Sequence, residues 1–239
     1  MVTYDFFYKV SMAEQGGFGI WYEYLAKSRI FKQLHAKSVL IFGLPKKYSL
    51  GLDTLFFADN SEMHIVDDRK QSLDEYKRFA GIFSKKVKIT YVKDLSSFKT
   101  NKKYDLLIST EVIQDNTALI NVIKNLAHKI LIFVPNSQCY AHPRISGLNS
   151  LSLKELSQLG KSHGLKIEQS GYVDCPPWPA GACLPKKTPS ENKESIFLAL
   201  VKRILTKITP LLSFLDNLYI PPWKQLNSHM VYCLFYNDK

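Results

Sequence analysis

AKSVLIFGLPKKYSLGLDTLFFADNSEMHIVDD, residues 36–68, is the stretch on which the reading of this chain turns. An apolar run from Ser38 to Phe42 ends in Gly43, and a helical-looking segment spans residues 50–58. A second apolar run, Met63 to Val66, stops at Asp67 and Asp68. Strand, glycine turn, helix, strand, acid is the order of a nucleotide-binding βαβ unit. The turn itself reads Gly43-Leu44-Pro45-Lys46-Lys47, so it is not a glycine-rich loop.

The same alternation continues outward. Upstream, Trp21, Leu25, Ile30 and Leu34 make one apolar face of a helix over residues 18–34, preceded by an aromatic arm. Downstream, Leu73, Tyr76, Phe79 and Ala80 are spaced for a helix, and residues 88–92 alternate as a third strand ending near Asp94. YDLLIS (104–109) and KILIFV (129–134) read as strands four and five, with a helix over 117–127 between them. Their unbroken apolar character suits parallel strands covered on both faces. Ser152 and Glu155 form a capping box at the start of a helix that Gly164 ends. Residues 165–173 and MVYCLFY (230–236) complete seven strands. The expected fold is a doubly wound α/β sheet, seven-stranded and mostly parallel, with an N-terminal helical arm and a helical insertion before the last strand. The expected division is an arm and helix over 1–35, a core over 36–183 and 228–239, and the insertion over 184–227.

Composition narrows the function classes. The chain has 239 residues, 46% hydrophobic and 22% charged, which supports a packed core and excludes a disordered chain. Lysine and arginine exceed acids by 32 to 21, a balance that suits an anionic partner or a surface of dispersed, solvated lysines. The four cysteines lack CxxC spacing, so no zinc or dithiol motif is expected, nor any metal site. The N-terminal residues lack the basic-then-apolar order of a secretory signal. No uncharged apolar run is long enough to span a bilayer. A cytoplasmic protein is the expectation.

In order along the chain, SVLIFG, HIVDD, VKDLSSF, YDLLISTEVIQD, KILIFVPN and the passage LSLKELSQLGKSHGLKIEQSGYVD resemble the successive motifs of the class I S-adenosylmethionine-dependent methyltransferases. The resemblance covers residues 36–183 and 228–238. It implies S-adenosylmethionine as cofactor, with Gly43 beside its methionine portion and Asp67 or Asp68 on the ribose. It further implies Asp94 and Leu95 at the adenine, and Ser109 and Thr110 at the fourth strand end. These positions all fall at the carboxyl ends of expected strands, where open α/β sheets bind ligands. Methyl transfer requires alignment of two reactants, with a general base optional. Glu111, Tyr140 and His142 are the candidates near the mouth of such a pocket. Trp178, in the loop CPPWPAGAC, suits either stacking on a substrate or packing on the sheet edge.

The family pattern of acid, any, Gly, any, Gly, any, Gly is not kept. Ile41 stands at the acid, and Pro45 and Lys47 replace the later glycines. This leaves two readings: methyl transfer to a small-molecule or lipid-like acceptor, or a catalytically inactive methyltransferase-like binding or regulatory subunit. A third, weaker reading takes Lys46 and Lys47 at a helix start as a phosphate-binding turn. STEV stands where amide and adenine methyltransferases carry an Asn-Pro-Pro-Tyr type tetrapeptide, which argues against a nucleic-acid substrate. Finally, Ile196, Phe197, Leu200, Val201, Ile204, Leu205, Ile208, Leu211, Leu212, Leu215 and Leu218 make an apolar stripe within residues 195–223, and Lys202, Arg203 and Lys207 line the other side. It reads as a cap over the site or a homodimer contact ahead of a peripheral membrane contact, since burial is the commoner fate of such stripes.

Overall fold

A computed structural model describes residues 4–14, 17–47, 49–140, 146–178 and 196–237. Seven strands form one sheet: β1 (Ser38–Phe42), β2 (Glu62–Asp67), β3 (Lys88–Tyr91), β4 (Tyr104–Thr110), β5 (Ala127–Pro135), β6 (Lys166–Val173) and β7 (Met230–Tyr236). Their spatial order is β3-β2-β1-β4-β5-β7-β6. The first five are parallel, and β7 enters antiparallel between β5 and β6.

Side-chain alternation builds two cores, one on each face. Val39, Ile41, Leu106, Ile108, Leu131 and Phe133 point to one side. Leu40, Phe42, Leu107, Ile130, Ile132 and Phe235 point to the other. Both sets are nearly inaccessible, so the central strands are apolar at most positions, and the period-2 signal there gives way to a continuous run. The first face is covered by α1 (Tyr4–Ala13), α2 (Gly17–Phe31), a 3-10 helix (Leu52–Asp59) and α3 (Lys70–Ile82). The second is covered by α4 (Ile120–Ile123) and α5 (Leu153–Ser162) with their loops. At Gly160, in α5, an added Cβ would lie 2.0 Å from Phe235 Cε1, so only glycine lets the helix sit this close to β7.

Several local expectations change. The aromatic arm is itself a helix, α1, because Phe7 and Val10 bury one turn apart. The segment after β1 is a 3-10 helix starting at Leu52, with Gly51 at φ +66° before it. The expected helix over 117–127 shrinks to α4 and one preceding 3-10 turn, since β5 begins at Ala127. The helical insertion contains Pro210, yet α6 (Ile196–Leu215) runs through it as one helix, followed by α7 (Pro221–Asn227). The capping box forms, with Ser152 Oγ accepting from Glu155 N–H and Glu155 Oε2 accepting from Ser152 N–H at 2.7 Å. Cys139, Cys175 and Cys233 are buried thiols, and Cys183 lies outside the described residues. Among the described residues, no helix is long and apolar enough to cross a membrane.

Candidate functional site at the strand carboxyl ends

The direction of winding reverses between β1 and β4, and the crevice there is the expected ligand position in an open α/β sheet. The turn after β1 borders it. Gly43 has φ +74°, and an added Cβ would sit 2.6 Å from Val112 Cγ2, so the turn packs hard against the loop after β4. Leu44 is fully buried.

Asp67, the acid ending β2, is buried and saturated. Its Oδ2 accepts from Leu44 N–H at 2.6 Å and from Arg69 Nη2 at 2.8 Å. Its Oδ1 accepts from Arg69 N–H at 2.7 Å and from Arg69 Nε at 2.9 Å. Arg69 also donates to the carbonyls of Leu44 at 2.5 Å and Pro45 at 3.2 Å. A carboxylate offers about four acceptor sites, so Asp67 has none left for a ribose hydroxyl while Arg69 holds this position. Asp68 and Asp94 are exposed beside it. Asp94 accepts from Ser96 N–H at 2.6 Å, and the Ser96 hydrogen bonds hold its carboxyl below the usual range.

A cavity of about 230 Å³ lies here, with Leu44, Leu95, Val112 and Leu119 as apolar lining and Asp68 and Asp94 among its acids. It is smaller than the roughly 300 Å³ at which small-molecule pockets begin. Lys46 and Asp115, also in its lining, pair at 2.6 Å. Lys47 turns to the Ser146 carbonyl at 2.9 Å. Both lysines of the turn therefore have partners within the protein.

Next to this cavity the end of β4 enters a buried polar group. Ser109 Oγ donates to the Phe42 carbonyl at 3.0 Å, and Thr110 is buried. Glu111 follows with φ +57° and 9% exposure, and its Oε2 has no hydrogen-bond partner among the described residues. The side-chain oxygen and nitrogen of Gln114 are likewise without partners there. A non-glycine residue in the left-handed region, buried and unsatisfied, is the kind of stored cost found at functional sites. Burial first, and then the charge of Glu23, pushes the Glu111 carboxyl up to about 8.

The neighbours come from distant elements. Glu23 and Lys27, one turn apart on α2, pair at 2.5 Å, and Asp53 lies 3.8 Å from Lys27. Burial raises the carboxyls of Glu23 and Asp53. Lys27 is completely buried, and Glu23 and Asp53 outweigh that burial to hold its ammonium above the ordinary lysine range. Asp174, at the end of β6, has φ +62° and accepts from or pairs with His229 Nδ1 at 2.9 Å. A further acid, Glu14, accepts from Tyr24 Oη and, at 3.0 Å, from Leu52 N–H, and burial pushes it up to about 8.

The structure thus gathers Gly43, Asp67, Asp68, Asp94 and Leu95 around one crevice, with Ser109, Thr110 and Glu111 on the adjoining strand end. Tyr140 is exposed and its backbone N–H is held by the Leu226 carbonyl in α7. His142 lies outside the described residues. Trp178 packs edge-on against Phe18 and Tyr22 of α2. Sequence reasoning passed over Arg69, Lys27 and Gln114. Arg69 had a local signal, since it directly follows the two acids, whereas Lys27 and Gln114 had none.

No protein-family model and no curated protein sequence matches the chain. Solved structures do match. An S-adenosylmethionine-dependent methyltransferase from Clostridium acetobutylicum aligns over 92% of this chain and 91% of its own, with TM-score 0.53 and 10% identity. The N-methyltransferase NodS from Bradyrhizobium japonicum, in complex with S-adenosylhomocysteine, aligns over 92% and 86%, with TM-score 0.50 and 12% identity. TehB from Haemophilus influenzae aligns over 88% of this chain at TM-score 0.50 and 11% identity, and the chain spans 61% of its length. The architecture is the class I S-adenosylmethionine-dependent methyltransferase fold.

Proposed function

We propose that the crevice at the ends of β1, β2 and β4 binds S-adenosylmethionine and that the chain transfers its methyl group to a small-molecule or lipid-like acceptor. The observation that carries this reading is the convergence of two exposed carboxylates, Asp68 and Asp94, on a cavity at the switch point walled by Leu44, Leu95, Val112 and Leu119. The donor set fits a nucleoside. Asp68 and Asp94 are the acceptors for ribose hydroxyls and the adenine amine, and Leu95 and Val112 are the surfaces for the ring. Asp67 acts behind them by holding the Leu44 N–H and Arg69. Glu111, buried with an unpartnered oxygen, would be drawn toward its ionised form by the positive end of the cofactor.

When bound, the cofactor supplies an electrophilic methyl carbon on a sulfonium. The residues of this chain contribute position and a proton acceptor. Glu111 keeps its proton up to about pH 8, so as a base for an attacking oxygen or nitrogen it works only as the pH approaches that value. Tyr140 and His142 remain proposed contributors from the loop after β5.

A second reading has one observation in its favour. With Asp67 saturated by Arg69, and proline at position 45, the site also suits a methyltransferase-like binding subunit without turnover. Calorimetric titration with S-adenosylmethionine and S-adenosylhomocysteine tests the cofactor site on which the first reading depends. Saturable binding, weakened roughly tenfold by Asp68→Ala or Asp94→Ala, supports the enzyme. Absence of heat and of any thermal shift at millimolar ligand leaves the binding subunit.

A further inference from the structure

α6 turns much of its apolar surface outward. At 3.6 residues per turn, Leu200, Arg203, Ile204, Lys207, Leu211 and Phe214 fall within about 100° of arc. All six are exposed, Leu200, Ile204, Leu211 and Phe214 by 50–71%. The opposite side, which faces the body of the protein, carries Thr209 and Ser213, with Asp216 just past the helix end, each 4% exposed or less, beside half-buried Leu205 and Leu212. A surface helix of a globular protein ordinarily does the reverse.

The orientation is locked. Arg29 of α2 donates to the Ser213 carbonyl and to Asn217 Oδ1 at 3.1 Å, and lies 3.6 Å from Asp216. Asp216 Oδ1 also accepts from Cys175 N–H at 3.0 Å. Turning the leucines inward would break these contacts and expose buried polar groups. The apolar surface continues past the helix through Leu218, Ile220, Trp223 and Leu226, each more than half exposed. An exposed apolar surface of this extent marks an interaction site.

We propose that the outer face of α6 and α7 docks on an anionic lipid surface. The charge pattern selects this occupant. α6 contains no acid, and Arg203 and Lys207 stand among its exposed apolar residues. A self-complementary contact between two copies would set these cations against each other without a carboxylate on either helix to pair them. A surface of lipid phosphates meets them with opposite charge while the acyl boundary takes the leucines and Phe214. α6, twenty residues and so about 30 Å long, would lie in the plane of the interface. Trp223 and Tyr219, with ring centroids 6.1 Å apart, stand at its end as amphipathic anchors for the headgroup level. The docking is independent of whether the strand-end crevice turns over.

The test is co-sedimentation of the full chain with phosphatidylcholine vesicles, with and without phosphatidylserine, beside its sedimentation equilibrium in buffer. Binding should require phosphatidylserine and weaken with salt. It should fall roughly tenfold or more in Arg203→Gln/Lys207→Gln, and likewise in Leu211→Gln/Phe214→Gln. These side chains are exposed, so both variants should keep the wild-type melting temperature. Failure to bind anionic vesicles overturns the proposal, as does binding indifferent to phosphatidylserine. Self-association that Leu211→Gln/Phe214→Gln abolishes, without vesicle binding, would assign the face to a second copy instead.

Discussion

Arg69 closes on Asp67 from two residues away, with Nε 2.9 Å from Oδ1 and Nη2 2.8 Å from Oδ2. The same guanidinium reaches the carbonyls of Leu44 and Pro45. One side chain therefore ties the turn after β1 to the turn after β2, at the place where a nucleoside would be gripped.

This pairing predicts opposite effects on binding and on stability. Arg69→Ala removes charge-assisted bonds to a buried carboxylate and should destabilise by about 2–3 kcal/mol in urea unfolding. It also returns free acceptor sites to Asp67. If the crevice takes S-adenosylhomocysteine, Arg69→Ala should bind it more tightly than wild type by calorimetry, despite the lost stability. Weaker binding would show that Arg69 itself faces the ligand.

Glu111 and Glu14 predict a loss of stability toward alkaline pH. Burial raises both from an ordinary carboxyl near 4.5 to about 8 in the folded chain. Between these values the unfolded chain has released protons that the folded chain still binds, so stability falls as pH rises from about 4.5 through 8. Glu111→Gln removes one such penalty. Its melting temperature should exceed that of wild type at pH 8 by about 2–4 °C for each kcal/mol regained, with a much smaller gain at pH 5.

His64 acts on the acid side. Burial lowers it from 6.5 to about 4, and its ring is held between Tyr104 Oη at 2.5 Å and Thr90 Oγ1 at 2.8 Å. Below pH 6.5 the unfolded chain takes up a proton that the folded chain refuses, so stability falls as pH drops toward 4. His64→Gln should flatten that part of the profile in melts between pH 4 and 6.5. An unchanged slope would remove His64 from the account.

Gly160 sets the seating of α5 on the sheet. A methyl group there would meet the Phe235 ring at 2.0–2.7 Å. Gly160→Ala should cost about 1–3 kcal/mol despite its better helix propensity, through overpacking. Adding Phe235→Leu should restore part of the loss, and a double-mutant cycle from urea unfolding would measure the coupling.

The chain's own letters determined the sheet and its ligand edge. Residues such as Leu40, Ile41 and Phe42 must be apolar because both faces are covered, and Gly43, Asp67 and Asp94 sit at strand ends because turns need them there. Ser152 and Glu155 announced the start of α5 because a capping box is made by residues three apart. Only the tertiary structure decided what those ends meet. Lys27 reaches Asp53 and Glu23, and Glu111 comes to lie near Asp174, through contacts whose partners are far apart in sequence. The apolar stripe of α6 was equally visible, as a cap, a homodimer contact or a peripheral membrane contact. Helical periodicity reveals that a helix has two faces, but which one packs depends on the partner. Here Arg29 on α2 binds the polar face, and Leu200, Ile204, Leu211 and Phe214 are left outward.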